Sequence, residues 1–321
     1  MLSVRVTAGH DLVERLRPVL DADPTVCDLA VVPGAALDGR GDVLWFEMAR
    51  ENANNVMRTL RHAGVPADGS IVVTEPVTVV ADAAVAAEEA APGHPADGVL
   101  WAQLADTSRE DSRPSATFFV FLLLATLIAG IGRLLDQPIL IIGAMVVGPE
   151  FAPIAAICYA VVRRRRGIAG SALATLLGGF AGCAAVAWAV WSLAYAAGLI
   201  TYEQATTGPQ TEFIVSPDAW SFVIALLAGV AGVLSLTTSK SAALVGVFIS
   251  ITTVPAVGAI GLTLAVGAWD EALGAGVQLL VNVAGLLVAG VVTLFVQLHL
   301  GRRLGRRRLL RAGPDGPPDA V

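Results

Sequence analysis

Lysine is almost absent: of the 21 basic residues, only Lys240 is not an arginine. Charge of either sign is scarce, at 15% of 321 residues, where a soluble domain usually carries about 25%. The three cysteines, Cys27, Cys158 and Cys183, form no C-x-x-C, so neither a disulfide framework nor a thiolate metal site is supported. The four histidines, His10, His62, His94 and His299, are too scattered to suggest metal-ligand spacing. No phosphate loop, G-x-S-x-G, H-E-x-x-H or dinucleotide fingerprint occurs. No catalytic residue, metal or cofactor is therefore expected, and the chain does not read as an enzyme. No apolar signal region opens it, so the N-terminus is expected in the cytoplasm.

What is abundant is apolar: 55% of residues, with a mean hydropathy of +0.70. That composition indicates an integral membrane protein. Six apolar stretches lie near 116–132, 138–162, 167–198, 219–236, 241–268 and 272–300, and a helix needs about 20 such residues to cross a bilayer. With the N-terminus inside, Arg109, Arg113, Arg163 to Arg166, Lys240 and the arginines from 302 to 311 all fall on the cytoplasmic side. Arg133 alone falls outside, among Asp136, Glu203, Glu212, Asp218, Asp270 and Glu271. This asymmetry predicts both termini in the cytoplasm. It also makes the arginine runs membrane anchors rather than a nucleic-acid site.

Residues 1–80 read differently. Leu2, Val4 and Val6 alternate with polar neighbours at strand period, and Leu12, Val13, Leu16 and Leu20 share a helical face. Apolar runs at Val26–Val32 and Val43–Met48 follow, then a helical stripe of Ala53, Val56, Met57 and Leu60, then Ser70–Thr74. The order βαββαβ predicts a small α+β, ferredoxin-like cytoplasmic domain. Residues 81–98, rich in alanine, acid and proline, read as a linker. The remainder to 115 reads as a juxtamembrane amphipathic helix around Trp101 and Leu104, and 301–321 as a basic, disordered cytoplasmic tail.

The second apolar stretch carries the chemistry. It holds Gly143, Gly148, Pro149, Glu150 and Pro153. A proline inside a helix removes a donor and clashes with the turn before it. A charge at membrane depth costs several kcal/mol unless it is paired, protonated or wet. Glu150 is thus expected to carry a proton or meet a cation; the alternative is a carboxyl tied to a helix end or a buried arginine, or one near enough to the interface to stay wet. Ala129–Pro153 and Ala231–Pro255 look like two copies of one pattern: each opens on Ala-Gly and reaches a proline 23 residues after that glycine. The second copy has no acid, but offers Thr252, Thr253 and Pro255. Two copies of three spans imply an inverted 3+3 repeat with broken helices two and five. Asn282, with Gln278, is a further polar group in span six, where helix–helix adhesion is the competing role. Lys240 sits in a hydroxyl-rich turn that would bind an anion or simply cap a helix with Ser239. Gly178 and Gly182 form a G-x-x-x-G suited to close packing and a homo-oligomer.

L-L-D-Q-P-I-L-I-I-G-A-M-V-V-G-P-E-F-A-P-I and L-S-L-T-T-S-K-S-A-A-L-V-G-V-F-I-S-I-T-T-V-P-A resemble the bacterial membrane proteins of domain-of-unknown-function family 389, over about residues 100–300. The resemblance implies the membrane architecture and no substrate. The expectation is a protein of the bacterial inner membrane that transports or conducts a small ion or solute, with a regulatory front domain. A membrane-anchored ligand sensor or oligomeric scaffold is the alternative.

Overall fold

The computed structural model describes residues 1–36, 41–91, 98–238 and 252–311, the last eleven as helical backbone. The chain divides into two compact units, one covering Met1–Gln103 and one covering most of the rest.

In the first unit, strand β1 (Leu2–Ala8), helix α1 (His10–Asp21), strands β2 (Val26–Ala36) and β3 (Gly41–Met48), helices α2 (Ala53–His62) and α3 (Val65–Asp68), and strand β4 (Ser70–Thr74) follow in order. The strands form one antiparallel sheet in the order β2-β3-β1-β4. Strand alternation decides the core. Leu2, Val4, Val6 and Ala8, with Leu44, Phe46 and Met48, are buried with Leu12, Val13, Leu16 and Leu20 of α1 and Val56, Met57 and Leu60 of α2. Each such large side chain contributes about 1.5–3 kcal/mol on burial. The intervening residues take the other face, where Arg5 pairs with Trp45 and Val72 and all three are exposed.

The stretch expected as linker is not featureless. Helix α4 (Asp82–Ala90) packs on β2 and β3 with Ala84 and Ala87 buried, and its Glu88 accepts from the Met1 amine at 2.8 Å. An alanine-rich run with one small face is enough for a short helix once a sheet is there to cover it. Helix α5 (Trp101–Asp111) follows.

The second unit is helical: α6 (Ala116–Leu134), α7 (Pro138–Val147), α8 (Phe151–Val162), α9 (Arg166–Ala196), α10 (Tyr202–Thr206), α11 (Ala219–Thr237), α12 (Thr253–Ala265) and α13 (Trp269–Arg311). Four of these, α6, α9, α11 and α13, are long and apolar enough to cross a membrane. The α7–α8 pair, bent by 52°, makes a fifth if it is counted as one span. The first half of the expected fifth span, with Lys240, lies outside the described residues, and α12 has 13 residues. The expected tail is helical as far as Arg311. Leu173, Leu177, Leu193 and Leu280 point outward, as lipid-facing residues do.

Two short helices, α8 and α12, pack against the long ones, among them α12 on α13 and α8 on α9. Helix α12 packs on α6 and α9: Gly258 lies against the Thr126 carbonyl and Ala129, and Gly261 against Ala187. Helix α8 packs on α13, where Cys158 meets Gly290, and its Phe151 ring lies against Gly232 of α11.

Candidate functional site around Glu150

Helix α7 opens with Pro138 in its first turn, where a missing N–H costs nothing, and stops at Gly148. Gly148 is extended, at φ −65° and ψ 128°, a conformation open to any residue. Space is what requires glycine: a Cβ there would fall 2.7 Å from Val254 Cγ2 and closer still to Glu150 Oε2. Pro149 and Glu150 fill the break, and α8 starts at Phe151.

The position of the prolines corrects one expectation. Pro153 is the third residue of α8, and Pro255 the third of α12. Neither interrupts a running helix; both sit in a first turn, whose N–H groups have no intrahelical partner. The Pro149 carbonyl is not freed either, since Ala152 N donates to it at 3.3 Å.

Glu150 is 4% exposed. Thr253 Oγ1 donates to its Oε1 at 2.7 Å. Its Oε2 is buried without a hydrogen-bond partner among the described residues. Thr252, one residue before α12, accepts from Gln278 Nε2 at 3.1 Å and from Asn282 Nδ2 of α13. Gln278 is 2% exposed, and its Oε1 has no partner among the described residues. The starts of α8 and α12 are thus joined by one carboxylate–hydroxyl bond, and α12 is tied to α13 by two amides.

Of the residues singled out from sequence, Glu150, Gly148, Thr252, Thr253 and Asn282 are brought together here, with Pro149, Pro153 and Pro255 shaping the backbone. Gly143 is exposed on α7, with nothing within 4 Å of a Cβ, and takes no part. Lys240 lies outside the described residues. Gly178 and Gly182 are exposed, with open space beside them.

Sequence reasoning missed Arg133. Counted there as the one outer basic residue, it is 1% exposed and acts as a hub. Its Nη1 donates to the Gly208 carbonyl and to Thr211 Oγ1, both at 3.0 Å. Its Nη2 donates to the Thr206 carbonyl at 2.9 Å and to Glu271 Oε2 at 3.1 Å, with Glu212 at 3.6 Å. Asp136 accepts from the backbone N–H groups of Gln210 and Thr211. The segment between α9 and α11 is thereby strapped to α6 and α13. A lone arginine among acids was the available signal.

Residues 145–288 match the family model DUF389, a domain of unknown function. The resemblance seen in the sequence is shown over that stretch, which begins inside the first of its two motifs. A protein of Methanocaldococcus jannaschii, itself described as uncharacterised, is 28% identical over 173 residues. The match covers 54% of this chain and 52% of that archaeal protein, so the chain spans about half the relative's length. No solved structure matches. The DUF389 stretch contains Glu150, Thr252, Thr253, Gln278 and Asn282, the polar groups at the starts of α8 and α12, and leaves Arg133 outside.

Proposed function

We propose that this is a transporter or channel-like protein of a cytoplasmic membrane, moving a small ion or solute at the broken helices. The observation that carries the reading is Glu150: a carboxylate buried among apolar helices, at a helix break, bonded to the start of a second short helix 103 residues on. Ionisable groups at membrane depth mark ion or substrate paths by default. Non-helical backbone is tolerated there only where protein or a cavity satisfies it.

An inverted 3+3 repeat with six spans is part of the proposal. The starts of α6 and α11, of α8 and α12, and of α9 and α13 lie 103, 102 and 103 residues apart. Pro153 and Pro255 occupy the same place in their helices, and α8 and α12 each pack on helices of the other half. An odd number of spans per copy turns the second copy over, placing two interrupted helices near the midplane. Both termini are cytoplasmic in this reading, the first unit is regulatory, and the open Gly178–Gly182 face serves self-association.

The test is uptake of labelled ions and small solutes into vesicles containing the full-length protein, beside Glu150→Gln. Uptake that falls at least tenfold in the variant supports the site. Uptake of nothing, with ligand binding retained by both forms, sinks transport and leaves the sensor reading.

A further inference from the structure

We propose that the ion bound at Glu150 is a proton, one per molecule, held where the starts of α8 and α12 meet. This rests on the reading of the broken helices as a transport site, and names its ion.

Among the described residues, the space around the carboxyl argues against a metal cation. Glu150 Oε1 faces one hydroxyl, that of Thr253. A methyl group on Gly148 would fall 2.7 Å from Val254 Cγ2 and closer still to Oε2, so there is no room for one. Hard cations take about six or more oxygens at roughly 2.0–2.6 Å. No group of three or more Asp, Glu, His or Cys side chains able to hold a metal occurs among the described residues. An ionised Oε2 left in that hydrocarbon setting costs several kcal/mol. A proton forms one O–H bond, removes the charge and needs no added volume.

Among the described residues, the packed neighbours supply neither a counter-ion nor a competing acid; Lys240 lies outside them. Helix α12 contains no charged residue, nor does α11, nor α7. Helix α9 is uncharged from Gly167 to Ala196, with Cys183 and Tyr195 as its titratable groups, and Arg163 to Arg166 lie before that stretch. Helix α13 carries Asp270 and Glu271 in its first turn and no further charge before His299. Cys158 and Tyr159 belong to α8 itself. Arg133 on α6 is engaged by Glu271 and Glu212.

The stoichiometry follows from the second half. The residue 102 positions after Glu150 is Thr252, whose hydroxyl oxygen is already served by the amides of Gln278 and Asn282. The repeat has therefore one acid and one neutral polar contact, not two acids.

The experiment is infrared difference spectroscopy of the full-length protein in lipid, stepped from acidic to alkaline buffer. The expected result is one protonated-carboxyl carbonyl band that disappears on alkalinisation and is lost in Glu150→Gln. Thr253→Val should move the band to higher frequency, because Oε1 loses its donor. Exchanging potassium for sodium or calcium at fixed pH should leave it unchanged. Absence of the band at every pH, or its removal by a metal cation at fixed pH, overturns the proposal. The two readings fail separately. A band removed by sodium in a protein that moves solute defeats the proton and keeps transport. A band that behaves as expected in a protein that moves nothing keeps the proton and defeats transport.

Discussion

Replacing Arg133 with methionine should be among the most costly single changes in the helical unit. The guanidinium serves two carbonyls, one hydroxyl and the Glu271 carboxylate, at 2.9 to 3.1 Å. Methionine fills similar volume and donates to none of them. Removing one partner of a buried ion pair costs about 3–5 kcal/mol, because the other charge stays buried. Glu271 keeps 26% exposure of its side chain, so the lower end, about 3 kcal/mol, is expected. Arg133→Lys keeps the charge but loses the planar fork, and should cost about 1–2 kcal/mol. Adding Glu271→Gln to Arg133→Met should recover about 1 kcal/mol, since the less exposed of the two carboxylates is then neutral and only the half-exposed Glu212 stays charged. Equilibrium unfolding in mixed micelles, followed by tryptophan fluorescence, measures these four proteins and Glu271→Gln alone, which closes the cycle. Limited proteolysis should show faster cleavage between 199 and 218 in the methionine variant. A cost below about 1 kcal/mol, or no coupling with Glu271, would refute the assignment of Arg133 as the anchor of this segment.

Two glycines five residues apart should respond in opposite ways. Gly148→Ala meets Val254 and the Glu150 carboxyl and should destabilise by about 1–3 kcal/mol, whereas Gly143→Ala meets open space in a helix and should be neutral or gain up to about 1 kcal/mol; equal effects in unfolding would remove the packing argument. Gly258→Ala places a methyl 2.7 Å from the Thr126 carbonyl oxygen, which cannot move without α6, and a cost of about 1–3 kcal/mol in the same assay is expected. In the first unit, His10 Nδ1 lies 2.7 Å from Asp42 Oδ2. The bond to Asp42 raises the His10 pKa from its ordinary value, while Gly34 N–H and then His10 lower that of Asp42. The His10 contribution is complete below about pH 6.5 and disappears as pH rises through the raised value; the Asp42 contribution holds above about pH 3.9 and disappears as pH falls through the lowered one. Protection of β3 amides from hydrogen exchange in the full-length protein, taken relative to the intrinsic rate at each pH, should thus be greatest between those limits, and His10→Ala should remove the decline on the neutral side while keeping the acid one.

Much of the fold was legible because it is written in periods. Alternation placed β1 and β3, helical stripes placed α1 and α2, and long apolar runs placed α6, α9, α11 and α13. The break at Gly148–Glu150 was legible from its prolines, although their role was misread. Both Pro153 and Pro255 start helices, and a first turn has no N–H bond for proline to remove. Helix α4 was not legible, since an alanine run becomes a helix only when a sheet covers it.

By itself, the sequence determined the membrane class, the order of the front unit and the place of the buried acid. Local composition fixes these, because a 20-residue apolar helix or a strand with one apolar face has few alternatives. Only the tertiary structure decided the partners. Glu150 meets Thr253 across 103 residues, Thr252 meets Gln278 and Asn282 across 26 and 30, and Arg133 meets Glu271 across 138. No period in a sequence encodes contacts at such separations. They arise when short helices pack against helices distant in the chain, and buried polar atoms there must find whichever partners the packing leaves within reach.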